Sequence, residues 1–291
     1  MSPRGLSKSL LAWGVTVTRL DRVLLALYKA RRRGRFVRLI NSHDTPRSAL
    51  DNYRRQLDFY SRHYCGVSEP DLERLLRDGR WDKGKPGLLP SFDDGLRSHY
   101  DVAAPLLEEF GFTGWFFVPL QLIDTPAPRQ LAFAQAHQIV APEPRPTDGR
   151  IAMSWDELRD LQRRGHVVGC HTRTHHRLSA ATPPRQLDDE IVAAKCDLES
   201  RLGRPVEHFC WVGGEEWSYS RAAAERVRDA GYRYGYMTCS RPCVAGSDRL
   251  KLHRTNVEST WPMRAVRLQL CGIADWANAR KRRRVDALTS V

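Results

Sequence analysis

No stretch of this 291-residue sequence stays apolar for the about 20 residues that a membrane-crossing helix requires. The longest apolar stretch near the start, Leu10 to Val17, is broken by Gly14 and Thr16 and stops at Thr18 and Arg19. No small-residue cleavage site follows it, so it reads as neither a span nor a signal peptide. A cysteine framework is also missing. The seven cysteines are odd in number and scattered, with one C-x3-C spacing at Cys239 and Cys243 and no second pair, while Cys170 and Cys210 sit in apolar runs. This pattern excludes a disulfide scaffold and predicts reduced, buried thiols in a cytoplasmic chain. Acidic residues are short as well: 34 Asp and Glu face 47 Lys and Arg, a net charge of +13, so the partner or nearby surface should be anionic. Nucleic acid, acidic lipid and acidic glycan all qualify. The basic run "RKRRR" at 280–284 has no interleaved aromatics and no reader motif around it, which argues against nucleic acid.

What is present supports a globular protein, because 41% hydrophobic residues with eight Trp can build a sizeable core. Residues 1–35 form a basic N-terminal extension. In it Leu20, Val23, Leu24 and Leu27 share a helical face flanked by Arg19, Arg22, Lys29 and Arg31 to Arg33. Such a helix either lies on an anionic membrane surface, at the inner face of the cell membrane, or packs its stripe on the domain.

From residue 36 the chain alternates. "FVRLIN", "GLLPSF", "FTGWFFV", "HVVGC", "HFCWV" and "YRYGYM" read as buried strands. Between them run helices with a capping box at Ser154 and Glu157, an opening at Pro183 and Pro184, and stops at Gly111, Gly165, Gly203 and Gly231. Alternation predicts an α/β protein with a parallel sheet, open and doubly wound or closed into a (β/α) barrel, with function at the carboxyl ends of the strands. Asp93 and Asp94 follow "GLLPSF", His171 follows "HVVGC", His43 follows "FVRLIN" after one residue, and Gly213 and Gly214 follow "HFCWV", so all of them fall on that face. His175 stands four residues after His171, a spacing that brings two imidazoles to one metal. One carboxylate with two imidazoles and open positions suits zinc or another divalent transition ion, whose charge offsets the repulsion between the paired aspartates. Pro119 to Arg150 is rich in proline, shows little regular pattern and leaves from the same face, so it reads as an insertion shaping a cleft or lid.

"SFDDG" followed about 80 residues later by "HTRTH" resembles the first two motifs of the polysaccharide deacetylase (NodB homology, carbohydrate esterase family 4) family, over roughly residues 36 to 260. The resemblance implies a distorted (β/α) barrel and metal-dependent hydrolysis of the N-acetyl group of amino sugars. It also implies that Asp93 is the catalytic base and that Asp94, His171 and His175 hold the ion. Two departures stand out. "FCWVGGEEWSYS" replaces the third motif, removing the arginine that orients the base, and no Leu-x-His motif follows near the end. Arg254 in "LKLHRTNV" resembles the late arginine of the circularly permuted branch, which includes poly-N-acetylglucosamine deacetylases, and His43 resembles that branch's early histidine as general acid. Gly213, Gly214, Glu215 and Trp211 become substrate contacts, with a solvated acidic turn as the alternative for Glu215. Residues 261–291 form a C-terminal helix and basic tail. The expected function is removal of an acetyl group from a nucleotide-linked, lipid-linked or polymeric sugar in bacterial surface-glycan assembly. The alternatives are hydrolysis of another amide, cyclic ones included, and a non-catalytic carbohydrate-binding relative.

Overall fold

The computed structural model describes residues 20–142 and 146–291. Leu10 to Val17 therefore lies outside the described residues. The chain runs through α1 (Leu20–Arg31), β1 (Val37–Ser42), α2 (Leu50–His63), β2 (Cys65–Gly66), α3 (Glu69–Asp78), β3 (Gly87–Phe92), α4 (Ala104–Glu109) and β4 (Trp115–Val118). It continues through α5 (Leu120–Asp124), α6 (Ala127–Ala136), α7 (Trp155–Arg163), β5 (Val167–Cys170), α8 (Pro184–Leu187), α9 (Ala194–Leu202) and β6 (His208–Cys210). Last come α10 (Arg221–Asp229), β7 (Tyr234–Met237), β8 (Leu252–His253), β9 (Thr255–Asn256), α11 (Met263–Leu270), α12 (Ile273–Ala277) and α13 (Ala279–Leu288).

The strands pair in parallel in the order β8-β7-β6-β5-β4-β3-β1-β9, with β2 added beside β3. The two ends of that order are neighbours in sequence, separated by Arg254 alone, so the sheet curls into a nearly closed barrel. Both strand faces are buried, which explains why the strands read as continuous apolar runs. One face supplies an inner cluster with Leu39, Leu89, Trp115, Phe117, Cys210 and Tyr236, and the other packs Ile40, Phe92, Phe116 and Phe209 into the helical shell. Leu72, Leu75 and Leu76 of α3 join the inner cluster, while Glu69 and Glu73 bond His208 and Tyr234 near the starts of β6 and β7. Helix α3 thus plugs the amino-end mouth. It begins at a capping box, Ser68 with Asp71, and ends at left-handed Gly79.

The segment 119–150 is more regular than its prolines suggested. Pro119 and Pro126 are the N-caps of α5 and α6, and Pro128 lies in the first turn of α6, positions where no N–H is needed and the fixed φ favours a helix. These prolines start helices rather than break them. Helix α1 packs on the domain, but not through the expected stripe. Asp21, Leu25 and Tyr28, spaced i, i+4, i+7, face inward, whereas Leu20, Val23 and Leu27 are exposed and Leu24 is half-buried. The C-terminal segment holds three helices. In its basic run Arg282 donates to the carbonyls of Cys239, Ser240 and Asp275, and Arg284 pairs with Glu216, so the run is tied down rather than merely solvated. No helix among the described residues is long and apolar enough to cross a membrane.

Candidate active site

Strand β3 delivers both aspartates to the carboxyl-end mouth. The Asp93 N–H continues the β1–β3 pairing by donating to the Ser42 carbonyl at 3.1 Å. Asp94 then turns into the left-handed region, φ 75°, which sends the two carboxylates to different partners. Both are buried, at 3% and 2% exposure, so each requires compensation. For Asp93 it comes from Arg254, whose Nη1 and Nη2 donate to Oδ1 and Oδ2 at 2.6 and 2.8 Å. Burial pushes the Asp93 pKa up, but the charge and hydrogen bonds of Arg254 outweigh it and the carboxyl is held below its ordinary value. A third bond, Arg254 Nη1 to Ser91 Oγ at 3.0 Å, fixes the guanidinium.

Asp94 meets the two histidines of "HTRTH". Strand β5 carries His171, whose N–H donates to the Val118 carbonyl, and the following turn puts Thr172 and His175 at φ 65° and 62°. Such backbone is uncommon for these residue types and concentrates at functional sites. The buried Glu190 carboxylate stabilises the turn by accepting the main-chain N–H groups of Arg173 and Thr174, each at 2.9 Å. Nδ1 of His171 donates to the Cys210 carbonyl at 3.0 Å, and Nδ1 of His175 to the His137 carbonyl at 2.7 Å. These bonds orient the rings and turn both Nε2 atoms toward Asp94 Oδ1, at 3.7 and 3.1 Å; burial opposes charging His175, but the adjacent Asp94 charge raises its pKa. That Oδ1 is buried with no hydrogen-bond partner. Burial outweighs the nearby aspartates and lowers the His171 pKa to about 4, so its ring is neutral, as a ligand must be. Asp94, His171 and His175 bring their ligand atoms within 4.8 Å of one another, and an unpartnered carboxylate oxygen facing two lone pairs is what a divalent cation satisfies.

A second cluster, Asp93, His171 and Cys210, is equally close. Its members fit a metal less well. Asp93 is committed to Arg254, and burial holds the Cys210 thiol well above its ordinary pKa, leaving it a donor to Asp93 Oδ1 at 3.6 Å.

His43 follows the end of β1, the strand paired with β3, and so enters the mouth beside the two aspartates. Its Nδ1 lies 2.8 Å from Glu258 Oε1 and its main-chain N–H donates to Glu258 Oε2 at 2.9 Å, while its carbonyl accepts from His99 Nε2 at 2.8 Å. Burial opposes charging the ring, but the Glu258 bond and the fields of Asp93 and Asp94 win, raising the pKa to about 9. Neither Glu258 nor Glu190 nor the His137 carbonyl was anticipated from the sequence. No local signal marked Glu258, which lies two residues beyond the end of β9.

An open cavity of about 280 Å³ is lined by His43, Asp93, Asp94, His171 and His175, and also by Gly213, Gly214 and Glu215. A Cβ on Gly213, at φ 80°, would stand 2.8 Å from the Glu215 carboxylate and 3.0 Å from Arg177 Nε, so glycine is required there. Glu215 is anchored rather than simply solvated: it accepts the Gly214 N–H at 3.1 Å and lies 3.6 Å from Arg177. Trp211 corrects an expectation. Strand alternation turns Cys210 into the barrel and Trp211 out of it, against Phe209 and Tyr219, 2% exposed and away from the cavity. The exposed aromatic of this turn is instead Trp217, 59% exposed, with the Arg177 guanidinium 5.6 Å above its ring.

The profile of the polysaccharide deacetylase family matches residues 82–235, more than half of the chain. No curated protein sequence matches it. Among solved structures, the chain is similar to the Streptococcus pyogenes deacetylase PplD in complex with acetate, with a TM-score of 0.61 at 16% identity over 80% of this chain and 96% of that one. It is also similar to the BpsB deacetylase domain from Bordetella bronchiseptica (TM-score 0.60, 16% identity, 77% and 97% covered) and to IcaB from Ammonifex degensii (TM-score 0.59, 19% identity, 83% and 98% covered). At these identities the structural likeness is one of fold, and the family match supplies the activity. The chain belongs to the polysaccharide deacetylase family and is a carbohydrate deacetylase of the (β/α)-barrel type.

Proposed function

We propose that the protein hydrolyses the N-acetyl group of an amino sugar during assembly of a bacterial surface glycan, using one zinc ion held by Asp94, His171 and His175. The observation that carries this reading is the division of labour between adjacent aspartates: Asp93 bound bidentately to Arg254, Asp94 left with an unpartnered oxygen against two oriented imidazoles. When bound, a divalent ion supplies Lewis acidity at the acetyl carbonyl and acidifies water. Asp93 takes the proton of the attacking water, with Arg254 fixing its orientation and keeping it ionised. His43, protonated through Glu258, lines the same cavity and gives its proton to the departing amine. The main-chain amides of Gly213 and Gly214 border the same space, where the missing side chains let a sugar approach closely.

Acetate release from nucleotide-linked, lipid-linked and polymeric N-acetylated sugars, measured with zinc-loaded protein, tests the reading. Elemental analysis should find one ion per chain, and His171→Ala or His175→Ala should remove it together with activity. Turnover of cyclic amides in place of every acetylated sugar would replace the proposed substrate class. Full activity in metal-free protein would overturn the mechanism.

A further inference from the structure

A groove of about 590 Å³ lies away from the strand ends and shares no residue with the cavity there. It runs between α1, α2 and α11. Leu25, Phe59 and Met263 give it an apolar lining, and Arg22, Lys29, Arg55, Arg62 and Arg267 surround that lining. Only two acids share the groove, and both are engaged: Asp58 with Arg62 at 2.8 Å, and buried Asp21 with Arg267 at 3.9 Å. Arg22, Lys29 and Arg55 have no carboxylate within ion-pair reach among the described residues. Lys29 rests instead against His63 Nδ1 at 3.4 Å, and Arg55 donates to Asn52. The excess positive potential also shows in His63, whose pKa is lowered by burial and then by Lys29, Arg267, Lys85 and Arg62.

The same helix carries Leu20, Val23 and Leu27 exposed, at 44%, 54% and 62%. An occupant must therefore be negative where it meets Arg22, Lys29 and Arg55, apolar where it meets Phe59 and Met263, and extended enough to cover the stripe. A soluble phosphate ester or an acidic peptide in the groove would leave the stripe in water. A bilayer of anionic phospholipid covers both at once, with headgroup phosphates at the rim and the first acyl carbons against the floor and the stripe.

We propose that the α1–α2–α11 groove and the exposed stripe on the other flank of α1 together form a docking face for an anionic phospholipid bilayer resting across the crest of that helix, with the groove receiving a lipid phosphate. This does not depend on the deacetylase reading, because the groove shares no residue with the cavity at the strand ends.

Co-sedimentation of the full chain with vesicles tests it without any activity measurement. Binding to phosphatidylglycerol vesicles should be seen, should fall as salt rises from about 0.1 to about 0.5 M, and should be absent with phosphatidylcholine alone. Arg22→Gln/Lys29→Gln/Arg55→Gln should weaken it by at least about tenfold, because each basic group at such a surface contributes separately. A triple variant on the opposite flank, Arg163→Gln/Arg185→Gln/Arg228→Gln, removes the same charge and should change binding less than about twofold. Val23→Ser/Leu27→Ser, which leaves the charge intact, should weaken binding several-fold. All these positions are exposed or half-buried, so melting curves should show the variants folded. Equal losses in the two triple variants would reduce the effect to delocalised charge. Equal binding to neutral vesicles, no binding to acidic ones, or a stripe variant that binds like the parent would each overturn the docking face, the last in favour of a soluble anionic ligand.

Discussion

The barrel contains two buried Arg–Asp pairs with nearly the same bidentate geometry. Arg254 grips Asp93 inside the mouth at 2.6 and 2.8 Å, and Arg38 grips Asp275 beneath α12 at 2.6 and 2.9 Å. Their surroundings differ. Asp275 also accepts the hydroxyls of Tyr28 and Ser240, and Arg38 also donates to Tyr28 and Thr255, so the outer pair is enclosed by partners and joins α1, β1, β9 and α12. Among the described residues the Asp93 carboxylate has only a weak thiol donor besides Arg254, and it borders the cavity. The pairing chemistry is shared, and what separates a structural clamp from a poised base is whether the carboxylate keeps an open approach for a reacting molecule.

Five variants bear on that comparison. The largest effect should come from Asp93→Asn, which keeps a hydrogen-bond acceptor for Arg254 but removes the proton acceptor. Turnover should fall by about 10²–10⁴ while the ion stays bound, and parallel acetate-release and metal-content assays separate this from Asp94→Asn, which should lose the ion. Equal metal loss in both would break the assignment. Next, Asp275→Ala leaves Arg38 charged and buried without its partner. Denaturant unfolding should show a loss of about 3–5 kcal/mol while turnover per folded molecule holds. A fall in turnover of the folded fraction would mean that the outer pair also tunes the mouth. Third, Arg254→Lys cannot reproduce a two-pronged grip, so kcat should drop by about tenfold with KM little changed. The smallest effect should be in pH dependence. His43 works as an acid only while protonated, so activity should fall on the alkaline side as it loses its proton. Glu258→Gln removes the negative partner that raises its pKa, and the alkaline limb should move to lower pH by about one unit. A limb that stays in place would remove His43 as the acid.

Much of this was legible in the sequence because buried parallel strands and capped helices leave strong local patterns. β3 to β7 lie within the quoted apolar runs and β1 overshoots its run only by Ser42, and Ser154 with Glu157 forms the capping box that its spacing announced. β8 and β9 were invisible, since two residues each carry no period. Asp94, His171 and His175 assemble because their spacing is set by strand ends. Glu190 and Glu258 were missed because their roles depend on which helix and which strand pack beside the loops, a long-range outcome that local spacing does not encode. Trp211 misled for a related reason: its neighbour Cys210 faces the mouth, and one step along a strand reverses direction.

The seam of the barrel has a temporal consequence. β8 and β9 attach to opposite edges of the sheet through consecutive residues, with Arg254 at the junction and Glu258 just beyond. All three residues of the proposed metal site have been synthesised by residue 175, whereas Arg254 and Glu258, the partners of Asp93 and His43, come about 80 residues later. A growing chain therefore carries the proposed metal ligands long before the partners of the proposed base and acid. On that reading, closing the ring also completes the site, and residues 252–258 do both.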